Sequence, residues 1–265
     1  MHENQVFALV FLWNGGPCRV PHSCFAERFG DLIDLTASET AALVRLEERP
    51  RDLRRDTILL REHDPMSELF ILQRGMAMSY VLLDDGSRQI LRFLFPGDML
   101  AVSALVYRDS PETIVAMTDV TVCPFDRTLM ATLLIEHPRL AAVIMVINQM
   151  EKVALTDRLA ALGRTSAKAR VAALLLEIRN RVRHTQQASA TSFIQPLTQE
   201  EIGDAIGLTA VHVNRMLRQL EDQALITRTA GRVTILDEAG LRRAAGRNDR
   251  GEGADLSWLP EVQRA

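Results

Sequence analysis

Residues 196–226, PLTQEEIGDAIGLTAVHVNRMLRQLEDQALI, decide how the C-terminal third of the chain folds. Thr198 with Glu201 three residues later is a capping box, hydroxyl to backbone N–H and carboxylate back to the cap, so a helix starts there. Ile202, Ala205 and Ile206 share one face of it, and Gly207 suits the sharp turn that ends it. Thr209 caps a second helix in which Val213, Met216, Leu217 and Leu220 point inward. Ala210, Val211, His212, Asn214, Arg215 and Arg218 are left outside, with no acid between Thr209 and Leu220. Such a surface suits phosphates and guanine edges. Helix pairs joined at a glycine also occur in domains that never touch DNA. The next segment narrows the choice: 225–228 and 232–236 are β-favouring runs around Thr229, Ala230 and Gly231, which read as a hairpin wing.

Working outward, 164–245 carries 12 Lys+Arg against 8 Asp+Glu, whereas 1–163 carries 16 against 22, so a net +4 faces a net −6. The positive excess lies where a counterion-releasing contact needs it, although +4 alone describes a solvated surface. Upstream, residues 139–162 form a long helix, apolar on every side from 140 to 147, which needs cover on two faces. The alternatives for its second cover are the core of a monomer and a partner helix. Gly163, Arg164 and Thr165 read as a hinge, with Ser166 capping a basic helix at 167–181, some of whose charge is expected along a DNA backbone. Residues 184–193 read as a loop.

The first half reads as short β runs at 57–60, 69–73, 76–83, 89–95 and 119–124, separated by turns at Asp64-Pro65, Arg74-Gly75, Asp85-Gly86 and Pro96-Gly97-Asp98. This is a compact antiparallel roll, with a helix at 36–49 against its entrance.

Two stretches carry a family resemblance. IGDAIGLTAVHVNRMLRQLEDQALI, 202–226, looks like the winged helix of the Crp/Fnr regulators. LFILQRGMAMSYVLLDDGSRQILRFLFPGDML, 69–100, resembles the β-roll of their cyclic-nucleotide-type sensor domain, glycines 75, 86 and 97 included. The pattern can be laid over roughly 31–245.

It implies an α+β fold: a jelly-roll-like antiparallel sensor at 31–137, a dimerisation helix at 138–163 and a winged helix-turn-helix at 164–245. An N-terminal extension, 1–30, and a loose tail, 246–265, flank these, with Trp258 and Leu259 as the tail's docking residues. The implied function is sequence-specific transcription regulation by a homodimer on palindromic double-stranded DNA, with RNA polymerase as a partner. The DNA-contact set is Thr198, Thr209, Ala210, Val211, His212, Asn214, Arg215 and Arg218. The family's base-reading Glu is here Val211, which cannot accept from cytosine but can touch a thymine methyl, while Arg215 matches the family's Arg. The alternative is a dimeric redox or small-molecule sensor acting on a protein partner without sequence-specific DNA binding.

The same resemblance bears on the signal. Cyclic-AMP-binding members carry a Gly-Glu pair after the Gly-Asp turn and then an Arg-Ser pair for the phosphate. Here Ala101 and Val102 replace the first, and the second falls near Ser110 and Pro111, so cyclic AMP is disfavoured. Arg108 leaves a shifted phosphate contact open, so Ala101, Val102, Arg108 and Ser110 are the effector-pocket candidates. Oxygen-responsive members hold an iron–sulfur cluster through four cysteines, and this chain has three, Cys18, Cys24 and Cys123. Mixed ligation with His22 stands open on paper, but no metal site is assigned; Cys18 and Cys24 are the redox candidates. Three cysteines make no disulfide framework, and no segment has the length of a membrane span or the flanks of a signal peptide. The expected location is cytoplasmic. Neither a phosphate loop nor a metalloprotease or nucleophile-elbow motif occurs, so no enzymatic activity is expected.

Overall fold

A computed structural model describes residues 23–182, 192–194, 197–229, 231–246 and 255–259. In the first half, α1 (Cys24–Gly30) and α2 (Ala37–Arg45) precede strands β1 (Arg51–Leu53), β2 (Ile58–Leu60), β3 (Glu68–Arg74), β4 (Ala77–Leu82) and β5 (Arg88–Leu94). These are followed by β6 (Met99–Leu100), a single 3₁₀ turn at Val102–Leu105, β7 (Thr113–Ala116) and β8 (Val120–Asp126). Helices α3 (Arg127–Glu136), α4 (Pro138–Arg164) and α5 (Ala167–Val182) come next. The C-terminal part holds β9 (Ser192–Ile194), α6 (Gln199–Ile206), α7 (Ala210–Asp222), β10 (Ile226–Thr229), β11 (Arg232–Ile235) and α8 (Glu238–Ala245).

The roll is two antiparallel four-stranded sheets, β1-β8-β3-β6 and β2-β7-β4-β5. Its strands are apolar on both faces because both faces are covered. Between the sheets lie Leu72, Ala77, Leu94, Leu100, Ile114, Ala116, Val120 and Val122. On the outer side of the first sheet, Leu69, Ile71, Cys123 and Phe125 pack with α1, α2, α3 and the start of α4. On the outer side of the second, Met76, Met78, Ile90, Phe93 and Met117 join the core of the C-terminal domain. One period-2 alternation therefore feeds two cores, which is why these runs read as continuously apolar in sequence.

Several expectations shift. The entrance helix is shorter, ending at Arg45, though its start is a capping box of Thr36 and Glu39. Gly163 and Arg164 lie inside α4, and the chain leaves helical geometry at Thr165, φ −109° and ψ 159°. Ser166 does cap α5, accepting from Ala169 N–H at 3.2 Å. Part of the loop expected at 184–193 is strand: β9 pairs with β11, so the wing's sheet has three strands. Within the N-terminal extension, α1 packs firmly, burying Phe25 and Phe29 as an edge-to-face pair with ring centroids 4.7 Å apart. Of the tail, 255–259 forms a turn whose Leu259 is buried in the cluster under α1 and α4, while Trp258 stays exposed. Among the described residues no single helix is long and apolar enough to cross a membrane.

Candidate nucleic-acid interface

The C-terminal domain builds the expected surface. Thr198 Oγ1 accepts from Glu201 N–H at 3.1 Å, and the Glu201 carboxylate accepts from Thr198 N–H at 2.7 Å. This capping box fixes the first turn of α6, and Gly207 at φ +66° closes the helix. Thr209 caps α7 by accepting from His212 N–H at 3.3 Å. Sequence reading missed a second constraint. A Cβ on Gly203 would lie 2.2 Å from the Leu208 carbonyl oxygen, and that carbonyl belongs to the turn between the helices. The angle between α6 and α7 therefore depends on a glycine in the middle of a helix, where nothing in the spacing marks it.

On α7, Val213, Met216, Leu217 and Leu220 are buried, as the pattern required. Outward stand Val211, 81% exposed, with His212, Arg215 and Arg218 also exposed and Ala210 and Asn214 half-buried. Thr198 and Thr209 are exposed beside them. Neither Arg215 nor Arg218 makes a hydrogen bond or ion pair among the described residues. Free guanidiniums on the outer face of a capped helix, next to an apolar residue of thymine-methyl size, are what major-groove readout needs.

In the basic helix α5, two of the arginines expected to contribute to a DNA-facing charge are turned inward instead. Arg179 is buried and ion-pairs with Glu238 at 2.6 Å, fastening α5 to α8. Arg181 is turned inward onto Asp98 of the roll, its guanidinium 5.5 Å from the centre of the Phe95 ring. Burial holds Arg181 below its ordinary pKa, against the pull of Glu151 and Glu177. Only Lys168 and Arg170 have lighter ties, to the Gln223 side chain at 3.2 Å and the Leu162 carbonyl at 3.3 Å.

The reading domain is seated on the roll. Arg88 reaches Asp204 of α6 at 2.7 Å, and the Gln89 amide donates to the Asp204 carbonyl at 2.7 Å. Farther along, Arg158 of α4 pairs with Glu177 of α5 at 2.6 Å. These polar ties rim the shared apolar core.

The effector-pocket candidates do not converge. Ala101 is buried at φ +57° between the sheets. Ser110 is buried, and its hydroxyl is spent on the Glu112 carbonyl at 2.6 Å. Arg108 is exposed at the surface. Val102 lies in a small cleft between the roll and α4, with Arg28, Gly97, Asn148 and Glu151. Of the redox pair, Cys18 lies outside the described residues, and Cys24 donates its thiol to the Gln73 carbonyl at 3.3 Å. Cys123 is sealed in β8, where burial pushes its thiol up to about 12. A four-thiolate cluster does not fit a chain with three cysteines, one of them held as a protonated thiol in the core.

A β-roll joined through a long helix to a winged helix-turn-helix with an open recognition face defines a DNA-binding transcription regulator. Two domain profiles match: a cyclic nucleotide-binding domain over residues 50–137 and a Crp-like helix-turn-helix domain over 169–244. The chain is 32% identical over 184 residues to the nitrogen fixation regulation protein FixK of Bradyrhizobium diazoefficiens, covering 69% of this chain and 76% of that protein. It is 27% identical over 216 residues to the transcriptional activator protein FnrA of Stutzerimonas stutzeri, covering 81% and 87%. The solved structure of FixK2 from Bradyrhizobium japonicum superimposes with a TM-score of 0.66 at 27% identity, covering 74% of this chain and 96% of that one. The chain belongs to the Crp/Fnr family of transcription regulators. The alternative of a sensor without DNA binding is not favoured.

Proposed function

We propose that the protein works in the cytoplasm as a homodimer whose two α7 helices read a two-fold symmetric site, half-sites about one helical turn apart. The observation that carries this is the outer face of α7, where Arg215 and Arg218 stand unpaired beside the exposed Val211. Arg215 takes a guanine, Val211 and Asn214 add local preference, and Thr198, Thr209 and His212 lie nearer the phosphates. Because Val211 stands where the family's usual reader is a glutamate, the half-site departs from the family's usual one.

Dimerisation is supported by α4. One side of it packs on the roll through Leu140 and Val143, while Met145, Leu155 and Leu159 form an exposed stripe, 61, 43 and 71% accessible, at coiled-coil spacing. RNA polymerase is the protein partner such a regulator addresses. Cyclic AMP is not its signal: Ala101, Ser110 and Arg108, buried, spent and exposed respectively, supply no phosphate cradle. Light scattering and a gel shift with genomic fragments at physiological salt test the reading together. A dimer that retards a subset of fragments supports it, and a monomer at micromolar concentration with unselective binding contradicts it.

A further inference from the structure

Helix α1 makes an approach to the roll that leaves no room for a side chain. A Cβ on Gly97 would lie 2.8 Å from the Cys24 carbonyl oxygen and 3.3 Å from the Arg28 Cβ. This seats Arg28 over the turn, where its guanidinium meets the Asp98 carboxylate and reaches Glu151 of α4 at 3.2 Å. Asp98, almost fully buried, also receives Arg181 of the reading domain and, on its other oxygen, the Phe95 N–H at 2.9 Å. Glu151 in turn takes Arg92 of β5 at 2.9 Å, and Arg92 stands 3.9 Å from Glu112. Three guanidiniums and three carboxylates thus close a charge-neutral network joining α1, the roll, α4 and α5.

Arg28 is the member that meets both the roll's buried carboxylate and that of α4. Phe25 and Phe29, buried beside it, anchor its helix. Burial, with Arg181 next to it, lowers the Arg28 pKa to about 10, so it remains a cation at neutral pH.

We propose that Arg28 is a built-in effector: a guanidinium supplied by the chain's own N-terminal helix that fills the junction between roll and α4 and holds the two together through Asp98 and Glu151. The site is accordingly a guanidinium-binding site, occupied intramolecularly. The proposal goes beyond the DNA-reading assignment and stands without it.

The test uses the full chain with Arg28→Ala, which vacates the site while leaving Arg181 on Asp98. Amide exchange in 144–158 of α4 is expected to accelerate about tenfold, the scale of one charge-assisted hydrogen bond. Ethylguanidinium at low millimolar concentration is expected to reverse this saturably in the variant and to do nothing to the parent chain. Acceleration confined to α1, or an equal effect of ethylguanidinium on both proteins, overturns the proposal. Should Arg28→Ala fail to fold, Glu151→Gln, which keeps the shape, decides it. Exchange must then rise in α1 and α4 together, and a rise in α4 with α1 unchanged refutes the built-in role.

Discussion

Two sets of arginines in this molecule are treated in opposite ways. On α7, Arg215 and Arg218 are held in solvent outside any ion pair, Arg218 acting on Glu221 only at longer range. Around Asp98, Arg28 and Arg181 are half-buried and paired, and Arg179, fully buried, is closed on Glu238. Folding can leave a guanidinium open only where water can solvate it, and burial demands a carboxylate. Open arginines therefore mark a surface meant for an outside anion, and closed ones mark where the protein joins its own parts. A basic helix by itself distinguishes neither, as α5 demonstrates.

The sharpest way to break this contrast is at the closed end. Asp98→Ala leaves two half-buried guanidiniums without their buried carboxylate and should destabilise the chain by about 2–3 kcal/mol in denaturant unfolding. A loss within the range of an ordinary surface substitution would mean that water reaches the junction. At the open end, Arg215→Ala should cost about 1–3 kcal/mol of DNA affinity and relax a single base position, with no change in melting temperature. Thr198→Ala removes one half of the capping box that starts α6 and should lower stability by about 1 kcal/mol, measured by thermal unfolding.

The smallest effect is a pH dependence. Hydrogen bonds from Arg179, and then from Arg242, hold the Glu238 carboxyl below its ordinary range, so the folded chain binds that proton less tightly than the unfolded one. The stabilisation is present above the usual carboxylate pKa and fades as the pH falls through the lowered value. Glu238→Gln should flatten the acid limb of the stability profile by lowering the plateau near neutrality more than the stability at acid pH; an unchanged acid limb would show that Arg179 finds no compensation in Glu238.

What was legible in the sequence follows the same division. The helix-turn-helix could be read because its signals are local: Thr198 with Glu201, Gly207, Thr209 and the inward set of α7 lie within one short stretch. Five of the roll's eight strands, β2, β3, β4, β5 and β8, were placed to within a few residues for the same reason, as turn dipeptides punctuate apolar runs. Strands β1, β6 and β7 and helices α3 and α8 were not read, and three further misses show why. The strand β9 depends on pairing with β11, forty residues away, and carries no alternation of its own. Helix α1 is short, and its place is set by the close approach to Gly97 instead of by periodicity. The fate of the α5 arginines depended on carboxylates at positions 98 and 238, far from them in sequence. The scattering of the pocket candidates has a like cause: Arg108 and Ser110 are two residues apart, but the Ser110 backbone is paired with Asp64 and His63 while the Arg108 side chain points to solvent.

The central claim is that the open face of α7 reads DNA, and the most direct measurement is selection of duplexes from a random pool by the full chain, followed by a base-by-base affinity scan with and without Arg215→Ala. The account predicts enrichment of a two-fold symmetric site with half-sites about one helical turn apart, a half-site unlike the family's usual one, and loss of discrimination at one base pair per half-site in the variant. Failure to enrich any sequence, or a variant that discriminates every base pair as the parent does, would contradict it.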